Sequence, residues 1–154
     1  MGSVYFYHLT ESPLEETLPV LLSKAVDAGW RVELRGKDAQ RQDWLDRQLW
    51  LGSPEAFLAH GVAGGPHDDL QPILLTLGGG TVQGIDCIVS VDGADITVPE
   101  AQAASRAMIL FDGGDGAAVQ HARGQWKQLA DAGCAAQYWA QDNGRWTKKA
   151  ETKT

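Results

Sequence analysis

The residues best placed to do chemistry are two aspartates in a glycine turn, Asp112-Gly113-Gly114-Asp115-Gly116. The turn lies between an apolar run, Ala107–Phe111, and a helix-like stretch, the position at which open α/β folds bind ligands beyond the carboxyl ends of their strands. Two carboxylates would repel a phosphate unless a metal stood between them. The turn therefore offers either the site of a small nucleotide- or metal-dependent enzyme, carried by Asp112 and Asp115, or an ordinary strand-to-helix connection. Other catalytic patterns fail. Gly78 and Gly80 have the spacing of a dinucleotide fingerprint, but Gln83 stands where the third glycine is needed and a strand follows. Gly36-Lys37 leads into Asp38, with Arg31 where a phosphate loop needs its first glycine. Of His8, His60, His67 and His121, only His67-Asp68-Asp69 gathers metal-type ligands, and a solvated loop explains that run as well. There is no nucleophile elbow and no HExxH pattern. Cys87 and Cys134 lack metal-ligand spacing and read as buried thiols of a reducing compartment. The sequence assigns no catalytic residue, metal or cofactor.

Aromatic and basic residues are distributed more tellingly. The 154 residues carry 13 Lys+Arg against 20 Asp+Glu, a formal charge of −7 that argues against nonspecific binding to nucleic acid or an anionic membrane. Residues 1–116 hold 7 basic and 17 acidic side chains, whereas residues 117–154 hold 6 and 3. Three of the six tryptophans, Trp126, Trp139 and Trp146, fall in that basic last quarter. Arg123 and Lys127 are four apart and share one helix face beside Trp126. Such a group can hold an acidic peptide ending in a hydrophobic side chain. Equally, Trp126 can be core and the cations a solvated face. A second cluster, Leu49-Trp50-x3-Pro54-x2-Phe57-Leu58-x-His60-Gly61, runs from a helix into a loop and reads as loop pinning or as an exposed apolar contact patch. Binding of single-stranded DNA by the Trp-rich end is a third reading, opposed by the overall acidity.

These residues need a scaffold, and the order of elements supplies one. Val4–Leu9 is a strand; Ser12 as N-cap with Pro13 at the first helical position opens a helix that ends at Gly29. Arg31–Arg35 is a strand, and Asp38 caps a helix carrying Trp44, Leu45 and Leu49. Residues 52–71 read as loop. Pro72–Leu77 and Cys87–Val91 are strands, Pro99–Ala104 a short helix, and Ala107–Phe111 a strand of the kind buried in parallel sheets. A helix spans about 117–132, and Ala135–Trp139 pairs with Arg145–Lys148 across Asp142-Asn143-Gly144. Alternating strands and helices imply one α/β domain with right-handed crossovers, a mostly parallel sheet and a C-terminal β-hairpin. The domain is expected over residues 1–149, with 150–154 a flexible tail. The apolar runs are too short to span a bilayer. No charged segment followed by an apolar run opens the sequence, which reads as a cytoplasmic chain.

Phe6-Tyr7-His8-Leu9, Asp46-x2-Leu49-Trp50, Phe57-Leu58-Ala59-His60-Gly61, Pro72-Ile73-Leu74-Leu75, Phe111-Asp112, Ala122-Arg123-x2-Trp126-Lys127, Gly133 and Tyr138-Trp139-x-Gln141-x2-Gly144-x-Trp146-x2-Lys149 run in order over almost the whole length. In this the sequence resembles the chi subunit of bacterial DNA polymerase III holoenzyme. It departs from the family pattern at Ala59, usually Pro, and at Gly124, usually acidic. The resemblance implies a three-layer Rossmann-like fold without a nucleotide site. It implies a noncatalytic accessory subunit that links the clamp loader to single-stranded DNA-binding protein by gripping that protein's acidic C-terminal tail. By position, Arg123, Trp126 and Lys127 match the tail-binding helix, with Arg145, Lys148 and Lys149 as further cations. Trp50, Phe57 and His60 match an apolar patch for the psi subunit, and little direct DNA contact is expected.

Overall fold

A computed structural model describes residues 3–11, 13–50, 60–62, 72–77 and 84–152. Their elements are β1 (Ser3–Leu9), α1 (Leu14–Asp27), β2 (Val32–Arg35), α2 (Ala39–Trp50), β3 (His60–Val62), β4 (Ile73–Thr76), β5 (Cys87–Ser90), α3 (Val98–Ala103), β6 (Arg106–Asp112), α4 (Gly116–Asp131), β7 (Ala135–Asp142) and β8 (Arg145–Glu151). The strands form one sheet in the order β3-β4-β2-β5-β6-β1-β7-β8. Every pairing is parallel except β7 with β8.

Two apolar layers follow from strand alternation. In β1, Tyr5 and Tyr7 point to one face and Val4 and Phe6 to the other. The first layer gathers Leu18, Leu21, Leu22 and Ala25 of α1 and Leu45 and Leu49 of α2 over β2, β4 and β5. The second sets Ala101 of α3 and Ala122 and Leu129 of α4 against Val4, Phe6, Ile109 and Phe111. Helices on both faces of a mostly parallel sheet make the expected three layers, and the central strands β2, β4 and β5 are buried along their full length.

Several boundaries differ from the sequence reading, each for a physical reason. Pro13, not Ser12, occupies the N-cap of α1: its ψ of 162° is extended, and its carbonyl accepts from Glu16 and Thr17 N–H. Ser12 lies outside the described residues. The stretch read as loop contains β3, paired with β4 through His60↔Ile73 and Val62↔Leu75. The hairpin strands are longer than expected, because a bulge between Tyr138 and Trp139 lets pairing run on to Gln137↔Glu151. The division placed at 149 falls inside β8, and beyond it Thr152 N–H donates to Ala136 O. Asn143 and Gly144 turn the hairpin at φ of 50° and 76°, the left-handed values a tight two-residue turn requires.

Candidate functional site

Helix α4 starts at Asp115, whose Oδ1 accepts from Ala117 and Ala118 N–H at 3.0 and 3.3 Å. Its buried stripe, Ala122, Gln125 and Leu129, lies on the sheet, and this sets Arg123 and Lys127 outward in solvent. Trp126 stands at the boundary. Half-buried, it packs edge-on against Phe6 at 5.3 Å and Tyr138 at 6.0 Å between ring centroids. Trp126 is thus both a core side chain and the apolar flank of the two cations.

Beside it, where the ends of β1, β6 and β7 meet, His8 is stacked on Phe111 at 4.9 Å. Tyr138 Oη lies 2.8 Å from His8 Nδ1. Burial, and then the charge of Arg123, hold the His8 imidazole below its usual pKa, while the Gly113 backbone acts the other way. Burial raises the Tyr138 phenol, and Arg123 opposes that shift. Arg123 therefore projects its field onto both rings. Sequence reading missed this pair, although the alternation Phe6, His8 along β1 already placed His8 on the α4 side.

The hairpin cations do not form one group. Arg145, opposite Asp142, falls on the face that carries Tyr138 and Ala140, the α4 side. Lys148 is opposite Trp139, whose ring packs in the other layer, so it points to the far face, where its Nζ is 3.2 Å from Glu151. Lys149, at the bulge, pairs with the Asp142 carboxylate. In the second cluster, Trp50 is the last residue of α2 and Phe57 lies outside the described residues. His60 does not present its ring to solvent: it is buried, with Nε2 3.1 Å from the Asp46 carbonyl and 3.2 Å from the Asp46 carboxylate. The imidazole ties β3 to α2.

A cleft of about 800 Å³ opens at the carboxyl ends of the parallel strands and contains the Asp112–Gly116 turn. Its polar groups are largely engaged with one another. Asp112 Oδ1 accepts from Gly114 N–H at 2.8 Å, Arg41 pairs with Asp92 at 3.1 Å, and His121 pairs with Asp95 at 2.7 Å. The N–H groups of Gly114, Ala117 and Ala118, which would otherwise face a phosphate, already serve the chain's own carboxylates. Gly36 is taken up by structure as well. The Gln42 amide packs on it and donates to the Leu34 and Thr76 carbonyls at 2.9 and 2.7 Å, and a Cβ at position 36 would come within 2.6 Å of the Gln42 side chain. Among the described residues no three His, Cys, Asp or Glu side chains are grouped to hold a metal, and no helix is long and apolar enough to cross a membrane.

A search of curated proteins returns no match. Residues 1–137 match the family described as DNA polymerase III chi subunit, HolC, a span that takes in α1 to α4 and stops before the hairpin cations. That match covers most of the chain, and the chain belongs to the DNA polymerase III chi subunit family, the accessory subunits of a replicative polymerase.

Proposed function

We propose that this protein links the clamp loader, through psi, to single-stranded DNA-binding protein by holding the acidic C-terminal tail of the latter. The observation that carries the reading is on α4: Arg123 and Lys127 are exposed one turn apart, and Trp126 offers an apolar flank between them. The cations meet the carboxylates and the aromatic edge meets the hydrophobic end residue. Arg145, on the same side of the sheet, extends the positive ground; Lys149 and Lys148, already paired with acidic neighbours, add less. The psi contact is assigned to Trp50, Phe57 and His60 on the family likeness; of these, His60 ties β3 to α2. In this reading the protein is a cytoplasmic binding module without a reaction of its own, and it touches DNA little.

The test is calorimetric titration with an acidic peptide that ends in a hydrophobic residue. A small contact of this kind gives micromolar affinity. Arg123→Ala is expected to weaken it about tenfold and Lys127→Ala less, since a charge-assisted contact at an exposed site contributes roughly 1–1.5 kcal/mol. Unchanged affinity in both variants removes the assignment.

A further inference from the structure

We infer that His8 is the proton-carrying member of the acidic-peptide site: it takes up a proton as carboxylates settle beside Arg123, and that proton turns the Tyr138 hydroxyl outward as a donor to them. The inference rests on the peptide site proposed above and specifies its chemistry.

The geometry leaves few alternatives for the two ring nitrogens. On the Nε2 edge the Gly113 backbone lies so close that a Cβ there would be 2.4 Å from the nitrogen. The Gly113 backbone acts to raise the ring's pKa, that is, to favour its protonated form. On the other edge Nδ1 is 2.8 Å from Tyr138 Oη. With its hydrogen on Nε2, the neutral ring can only accept at Nδ1, so the Tyr138 O–H points inward. A second proton makes Nδ1 a donor. Tyr138 Oη must then accept, and its own hydrogen is released from the ring as a free donor. One proton from water thus creates a positive charge and a free hydroxyl donor together, both suited to a carboxylate.

What holds the ring neutral in the free protein is burial together with the charge of Arg123. A bound carboxylate neutralises the second of these. No carboxylate of the surrounding elements is among the influences that set the His8 pKa in the free protein, and each has a partner of its own. Glu11, after β1, accepts from Gly144 N–H; Asp112 on β6 and Asp115 at the start of α4 serve backbone N–H groups; Asp142, at the end of β7, is paired with Lys149. The imidazole on α4, His121, is committed to Asp95.

Linkage fixes the sign. A ligand that raises the His8 pKa binds more tightly as pH falls through the window between the free value, below 6.5, and the bound value. Peptide carboxylates stay ionised down to about pH 5. Titration calorimetry on the whole protein is therefore run with the acidic peptide between about pH 5.5 and about pH 7.5, in two buffers of different ionisation enthalpy. The expected result is fractional proton uptake and roughly threefold tighter binding at the acid end. His8→Gln is expected to give a flat profile, and Tyr138→Phe to reduce the acid gain while the ring stays in place. His121→Gln should keep the slope. Binding by the wild type with no proton uptake, or an unchanged slope in both His8→Gln and Tyr138→Phe, overturns the role of His8 and leaves the peptide site standing. Absence of peptide binding at every pH overturns both.

Discussion

Replacing Arg35 by Met tests what ties β2 to α3. Arg35 ends β2, is 4% exposed, and is enclosed by two carboxylates and a carbonyl. Its Nε donates to Glu33 Oε2 at 2.9 Å, its two terminal nitrogens reach both oxygens of Glu100 at 2.8 and 2.5 Å, and Nη1 also donates to the Asp95 carbonyl at 3.0 Å. Glu33, itself 3% exposed, has Thr76 Oγ1 at 2.7 Å as its other partner. Methionine keeps most of the volume and removes the charge, so the cost is dominated by leaving Glu33 buried without a cation. Breaking a buried pair from one side costs about 3–5 kcal/mol. At about 2–4 °C per kcal/mol for a domain of this size, the midpoint falls by roughly 10 °C. The Glu33→Gln, Arg35→Met double variant leaves no unpaired charge on β2, and it is expected to recover part of the loss. Acid supplies an independent arm. Hydrogen bonding to Arg35 holds the Glu100 carboxyl at about 2 instead of 4.5, so its contribution is full above about pH 4.5 and is lost as pH falls toward 2. The shift corresponds to at most about 3 kcal/mol by linkage, and to about half of that after screening, because Glu100 is 30% exposed. Thermal unfolding followed by circular dichroism reads both arms. A single variant within about 3 °C of wild type, or a double variant that shows the plain sum of its parts, would refute the argument.

Two further outcomes follow from packing. Gly113→Ala is expected to cost about 1–3 kcal/mol in urea unfolding, because its Cβ would meet the Leu9 carbonyl oxygen at 2.8 Å, which cannot swing away, as well as His8. Gly116→Ala, in open space on α4, should instead be neutral or stabilising by up to about 1 kcal/mol. Both thiols are buried and Cys87 is pushed up to about 12, so Ellman's reagent at neutral pH should react at the rate of unfolding; fast modification of Cys87 in the native protein would contradict its placement.

Much of the scaffold was legible because it is written in local periodicity. The helical recurrence of Leu18, Leu21, Leu22 and Ala25, the apolar run of β6 and the Asn143-Gly144 turn each announce themselves within a few residues. Strand β3 does not. It is three residues long in a Gly- and Pro-rich stretch, and only its register against β4 makes it a strand. The same limit hid the long-range polar contacts. Glu33 and Arg35 read as polar positions of a strand, and nothing local says that Glu100, 65 residues on, arrives to complete them. Nor does any neighbour of His8 in the chain point to Tyr138, 130 residues away. His60 illustrates the converse: its aromatic-rich run reads equally as loop pinning or as an exposed patch, and only its contact with Asp46 of α2 takes the ring inside.

The uneven charge acquires a geometric meaning once α4 is in place. Residues 1–116, with 7 basic and 17 acidic side chains, should repel an acidic tail, and residues 117–154, with 6 and 3, should attract it. At 0.1 M salt fields die away within about 10 Å, so the tail responds to the side chains nearest its landing point and little to the total. The carboxylates at the ends of β1, β6 and β7 are held by backbone N–H groups or by Lys149, and among the described residues none forms a salt bridge with Arg123 or Lys127. Salt therefore acts on one or two local contacts instead of on a whole-domain field. Affinity should fall only severalfold between 50 and 200 mM salt (about the range over which a many-phosphate DNA contact loses a thousandfold or more). A steep, DNA-like slope would mean that the partner spreads over the basic hairpin as well, including Lys148 on the far face, and the compact site on α4 would have to be abandoned.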